Sequence, residues 1–244
     1  MKKIILAALI LTIGACSVQA VAEMEKGFIS VNTTANAEIA PDIAEISIAI
    51  RTEDSKSMQK ATLQNKEISD KVIAALKSMI NTSNGDYIKT SDFNASPVYN
   101  YNGNKRTLDK YQVSNSVIVH TKNIDKVGAM IDKSIALGAT NVNSLNFSLS
   151  SYEKQCNDLI TLAANRAKDR ANAAIKTIPS TIAGIKHMDV NCSANNSYRP
   201  QYRMMTSNMV LADGAVAQEA APSTTIEEGV VKIYANVNAS YYVK

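Results

Sequence analysis

The chain has 244 residues, 45% hydrophobic and 20% charged, with nine glycines and five prolines, which excludes collagen-like, proline-rich and charge-driven disordered classes. That length can bury a sizeable core in one or two domains. The formal charge of +4 drops to +2 once Lys2 and Lys3 are assigned to a leader, too weak a balance for nucleic-acid binding, which needs clustered Lys and Arg.

Met1-Lys2-Lys3 precedes an apolar run over residues 4–13. A basic start and a run of about ten apolar residues read as a secretory signal, too short to span a bilayer. Ala20-Val21-Ala22 before Glu23 supplies small residues for cleavage, giving a leader of 1–22 and a mature domain of 23–244. Val18-Gln19-Ala20 fits nearly as well. Ile13-Gly14-Ala15-Cys16 offers a different ending, a lipoprotein box that would lipidate Cys16. No second long apolar run follows, so no transmembrane segment is expected in the mature chain.

Alternation over 27–37 (Ile29, Val31, Thr33 against Ser30, Asn32, Thr34) predicts a first strand, and 43–51, with Ile46, Ile48 and Ile50 on one face, a second. Between them, Pro41-Asp42 is turn chemistry, Asp42 bonding the following backbone. Residues 55–80 change period: Met58, Ala61, Ile68, Val72, Ala75 and Met79 mark a helix of about 25 residues, capped by Asp54 or Ser55. Asn84-Gly85 ends it. Strands follow at 87–96 and 111–120, separated by turn residues at 100–104. In the later one Tyr111, Val113, Asn115, Val117 and Val119 share a face. Ile124, Val127, Ile131, Ile135 and Ala136 mark a second helix, stopped by Gly138, and Leu145, Phe147 and Leu149 a fifth strand. A third helix spans 152–178, with Cys156, Leu159, Ala163, Ala167, Ala174 and Ile178 inward, until Pro179 breaks it. Strands at 182–192 and 229–243 close the chain.

The middle reads βαββαβ, the split βαβ arrangement, preceded by a leading strand and followed by the third helix and two trailing strands. The fold class is α+β, with three helices on mixed or antiparallel sheets in two small layered lobes. Residues 193–227 lack periodicity, and a loop that long is usually functional. It holds Tyr198, Arg199, Tyr202, Arg203, Met204, Met205 and Met209, a candidate partner-contact set.

Chemistry-bearing residues are sparse. His120 and His187 sit at strands without a Cys, Asp or Glu set at ligand spacing, so no metal is expected. No nucleophile elbow, zinc-protease, phosphate-loop or dinucleotide motif occurs, so neither catalytic residues nor cofactors are expected. Met204, Met205 and Met209 are thioethers of a kind that suits Cu(I), but they read better as an apolar packing patch. Arg166, Lys168, Asp169 and Arg170 read as a solvated helix face with local ion pairs. Cys156 and Cys192 are an even pair in an exported chain. One reading joins them in a disulfide worth about 3–4 kcal/mol. The favoured reading keeps them as two buried thiols, since sequence does not bring their Cα atoms within reach.

The pattern resembles the SIMPL-domain family. The resemblance rests on Ala40-Pro41-Asp42-Ile43-Ala44-Glu45-Ile46-Ser47, on Tyr111 through Val119, on Gly138-Ala139-Thr140-Asn141-Val142 with Leu145 through Leu149, and on Arg166-Ala167-Lys168-Asp169-Arg170-Ala171. These stretches fall in the family's order over about 27–243. The departure is at Ile178-Pro179, where a Gly-containing helix end is expected. The resemblance implies an exported α+β protein without known catalytic residues, in a family with members linked to oxidative-stress defence, outer-membrane association and ring-forming assembly. The function it implies is a non-enzymatic envelope protein acting through homo-oligomerisation or an envelope protein partner. A periplasmic small-ligand-binding protein, with a concave apolar pocket, and an unrecognised envelope enzyme are the alternatives.

Overall fold

The computed structural model describes residues 26–103, 105–195 and 224–244. Its elements are β1 (Phe28–Ile39), β2 (Ile43–Asp54), α1 (Met58–Lys77), β3 (Tyr87–Asn102), β4 (Lys105–Thr121), α2 (Val127–Ala136), β5 (Asn141–Ser148), α3 (Tyr152–Ile175), β6 (Ile182–Asn195) and β7 (Val231–Val243). They form two antiparallel sheets, one ordered β3-β4-β2-β5 and the other β1-β7-β6. The four-stranded order is what a βαββαβ unit gives when each helix crossover leaves room for one strand between the pair it joins. The fold is therefore α+β. First and last strands pair with each other, so the βαββαβ unit is inserted between β1 and the α3-β6-β7 end of the chain.

Each sheet buries one face. In the four-stranded sheet Ile46, Ile48 and Ile50 of β2 are fully buried, packed with Val117 and Val119 of β4, Val72 and Leu76 of α1, and Met130 and Ile131 of α2. In the three-stranded sheet Ile233, Ala235 and Val237 of β7 meet Ala163, Ala167 and Ala171 of α3. Alanine at three successive turns lets the α3 backbone approach closely, and the Thr33 hydroxyl donates to the Ala163 carbonyl at 2.7 Å.

Helix boundaries and faces differ from the sequence expectation. α1 begins at Met58 because β2 runs on to Asp54, whose carboxylate accepts from the N–H groups of Lys56 and Ser57 and turns the chain. Ser57, not Asp54 or Ser55, is the cap, accepting from Lys60 N at 3.3 Å. The buried side of α1 includes polar residues: Asn65 donates to the carbonyls of Ile50 and Val113, and Ser69 pairs with Asn115. In α2, Met130 and Ser134 are inward, and Ile135 and Ala136 face out. α3 ends at Ile175, short of the expected 178, and its inward stripe finishes on Ala171 and Ile175, so Ala174 faces out and Ile178 lies beyond the helix.

Two tethers tie the connections down. Asp42 does not bond its own following backbone. Its carboxylate accepts from the backbone N–H and the hydroxyl of Ser150, pinning the β1–β2 turn to the start of α3. At the far side of the expected long loop, Thr224 donates from its N–H to Asp132 of α2 at 2.8 Å and from its hydroxyl at 2.5 Å, and Ile226 packs on the first core. A methyl group on Gly128 would meet the Thr224 carbonyl oxygen at 2.1 Å, so this approach requires glycine. At its near side the loop is shortened, since Ser193 and Ala194 belong to β6.

Asp86 sits buried where α1's exit meets the end of β4. Burial pushes its carboxyl up, but the N–H groups of Asn81 and Lys122, the Thr121 hydroxyl and the nearby His120 together hold it below the ordinary carboxylate range. A carboxyl lowered by folding stabilises the fold above its unfolded value of about 3.9 and loses that contribution as pH falls towards the folded value. The stability of the native chain, measured by denaturant unfolding, should therefore fall more steeply below about pH 4 than that of Asp86→Asn. Parallel acid limbs would contradict this role.

Candidate functional site

Strand β4 pairs with β2 only from Thr121 to Tyr111, while β3 and β4 stay paired out to Asn102 and Lys105. Residues 98–102 and 105–110 therefore form a two-stranded ribbon that projects past the sheet, closed by a turn containing Gly103 at φ 58°. The sequence expectation places a turn at 100–104, where Asn and Gly crowd the chain, and ends the flanking strands at 96 and 111. Tyr99, Tyr101, Arg106 and Leu108 lie on one face of the ribbon, since Tyr99 is opposite Leu108 and Tyr101 opposite Arg106. The Arg106 guanidinium lies 3.5 Å from the Tyr99 ring centroid, a cation–π contact. Tyr101 is 71% and Leu108 44% exposed. Within the sheet, opposite Ser114–Ser116, β3 bulges at Asp92 (φ 56°), and neighbouring Phe93 is 63% exposed. Such a two-stranded ribbon is marginal on its own, yet here it carries aromatic, arginine and leucine side chains that have little to pack on among the described residues.

The cysteines lie on the other sheet. Cys156 on α3 and Cys192 on β6 have Cα atoms 5.9 Å apart and bonded sulfurs. The bond fastens the helix to an edge strand of the three-stranded sheet. The structure thus has a disulfide where the favoured sequence reading had two separate thiols, because the packing of α3 across β6 brings together positions 36 residues apart in the chain. Arg166 and Arg170, one helical turn apart, donate to the backbone carbonyls of Thr34 and Asn32 at 2.8 and 2.7 Å. Rather than forming the expected local ion pairs, they occupy acceptors on the free edge of β1, a protection against edge-to-edge pairing.

His120 stacks on Tyr87 with centroids 4.6 Å apart, and its Nδ1 is 3.8 Å from the Glu45 carboxylate. His187 bonds Asp189 at 2.7 Å on the three-stranded sheet. The two histidines are thus on different sheets. Among the described residues no group of three or more His, Cys, Asp or Glu side chains could hold a metal ion, and no helix is long and apolar enough to cross a membrane. A concavity of about 600 Å³ on the three-stranded sheet is lined mainly by polar residues, unlike the apolar pocket that the small-ligand alternative calls for. Cys16 and the set Tyr198, Arg199, Tyr202, Arg203, Met204, Met205 and Met209 lie outside the described residues.

Reduction of a purified chain of residues 23–244 should add the mass of two hydrogens and lower its unfolding free energy by about 3–4 kcal/mol, the cost of freeing a loop of this length. Two free thiols in the untreated protein, by intact mass, would contradict the bond.

The 26 kDa periplasmic immunogenic protein of Brucella melitensis biotype 1 is 28% identical over 149 residues, which is 59% of this chain and 55% of that protein. The protein of the same name from Brucella abortus (strain S19) is 27% identical over the same shares. The chain thus spans about half the length of the curated relatives it matches. A family model described as "SIMPL: Protein of unknown function (DUF541)" matches residues 29–241. Neither that description nor the relatives' names point to catalysis. With the match running from β1 to β7, the chain belongs to the SIMPL family.

Proposed function

We propose that this is an exported, non-catalytic protein of the bacterial envelope that works by associating with itself or with an envelope protein through the β3–β4 arm. The observation that carries this reading is the arm itself. Tyr and Arg are enriched among residues that dominate binding energy, and Tyr99, Tyr101 and Arg106 share one face of the ribbon with Leu108. Export is supported by the periplasmic names of the relatives and by the basic, then apolar, N-terminus. The same proposal covers removal of residues 1–22, with lipidation at Cys16 as the other ending, and a supporting contact role for the Tyr198–Met209 set. Oxidative-stress defence and outer-membrane association enter only through the family resemblance.

Light scattering on the mature chain should give a mass above the monomer, or crosslinking in the envelope should capture a partner. Replacing Tyr101 with Ser should weaken that association roughly 30-fold, as losing a residue worth about 2 kcal/mol at the centre of a contact does. A strict monomer with no crosslinked partner would contradict the proposal.

A further inference from the structure

We propose that the outward face of the three-stranded sheet binds a neutral carbohydrate chain. α3 covers one side of this sheet, and the other carries Asn32 and Asn36 from β1, Asn236 and Asn238 from β7, and Asn191 from β6. Asn is depleted in strands, so five on one sheet face sacrifice β-propensity that Thr or Val would supply. These positions also add nothing to the core. Three of the five, Asn191, Asn236 and Asn238, line a concavity of about 600 Å³ with Asn32 bonded beside them, within the roughly 300–1,000 Å³ range of ligand sites.

The hydrogen bonds say which ligand suits it. The Asn32 amide nitrogen donates to the side-chain oxygens of both Asn236 (3.1 Å) and Asn238. Among the described residues this leaves the amide nitrogens of Asn236 and Asn238 as donors and the Asn32 oxygen as an acceptor, with the Asn191 amide beside them able to do both. Interleaved donors and acceptors match hydroxyl groups, which are both at once. Among the described residues, Asp189, bonded to His187, is the one carboxylate lining the concavity, and no Lys or Arg lines it. A phosphate or carboxylate ligand would meet repulsion there instead of a counter-charge. Arg166 and Arg170 at the β1 edge are engaged with backbone carbonyls. Tyr234, 42% exposed, adds an apolar ring at the rim on which the C–H face of a sugar can rest. Polar groups that fix hydroxyls beside one aromatic surface make a site for a polyol, not for an ion. The site belongs to the three-stranded sheet and does not depend on the arm of the four-stranded one.

The test uses the full mature chain with two soluble probes, chitotetraose and maltotetraose, in calorimetric titrations backed by amide chemical-shift mapping. Saturable binding of either probe is expected, with shifts confined to the Asn236, Asn238 and Tyr234 neighbourhood. Tyr234→Ala and Asn236→Ala should each weaken it about tenfold, the loss of one ring contact or one ligand hydrogen bond of about 1.4 kcal/mol. Lys71→Ala on the exposed side of α1, on the other sheet, should leave it unchanged. Both sheet substitutions are on the exposed face, and circular dichroism confirms folding before titration. No binding at millimolar sugar, binding untouched by both sheet substitutions, or disulfide crosslinking of Asn236→Cys to a second copy in place of sugar binding would overturn the proposal.

Discussion

The apolar inner face of β2 is the constraint on which the rest depends. β2 is flanked by β4 and β5, and both α1 and α2 pack on its Ile46-Ile48-Ile50 row. In a strand, side chains alternate between faces, so a one-residue slip would put all three isoleucines in water. Each buried isoleucine is worth about 1.5–3 kcal/mol, which fixes β2's register against both neighbours. β4's register then sets where its pairing with β2 stops, and the length of chain left over becomes the arm.

The second lobe solves a different problem. Its three strands come from both ends of the chain, so the sheet closes only when β7 reaches β1. Half of the buried residues of the helix that seals it are alanine, which gives close approach but little apolar area. The structure makes up for this with directed bonds: the Thr33 hydroxyl on Ala163, the two arginines on the β1 edge, and the disulfide to β6. The Asp42–Ser150 and Asp132–Thr224 tethers lock the chain where it passes between the lobes.

Much of this was legible in the sequence, because two-residue and three-to-four-residue hydrophobic periods are local signals. The βαββαβ order and the inward isoleucines of β2 follow from them, whereas α3 ends at Ile175, before the Pro179 expected to break it. What stayed hidden is non-local or contrary to propensity. Asn65 and Ser69 are buried by partners on β2 and β4 that no spacing reveals. The arm runs through Asn100, Asn102 and Gly103, residues that ordinarily mark turns, and only cross-strand pairing makes them a ribbon. The Cys156–Cys192 contact depends on how α3 lies across β6. The arginines read as a solvated face because their acceptors lie on β1, more than a hundred residues earlier. The asparagines of the open sheet face gave no signal singly, and become an array only when three strands are aligned.

The family description assigns no activity, and the structure directs attention to surfaces rather than to a reactive centre. The central claim is that the projecting ribbon is a contact surface in the assembled envelope. A photo-crosslinking amino acid placed at position 101 in living cells tests this most directly, with position 71 on the exposed side of α1 as the control. The account predicts a discrete crosslinked product from 101, either to a second copy or to one envelope protein, and none from 71. No product from 101, or the same products from both positions, would contradict it.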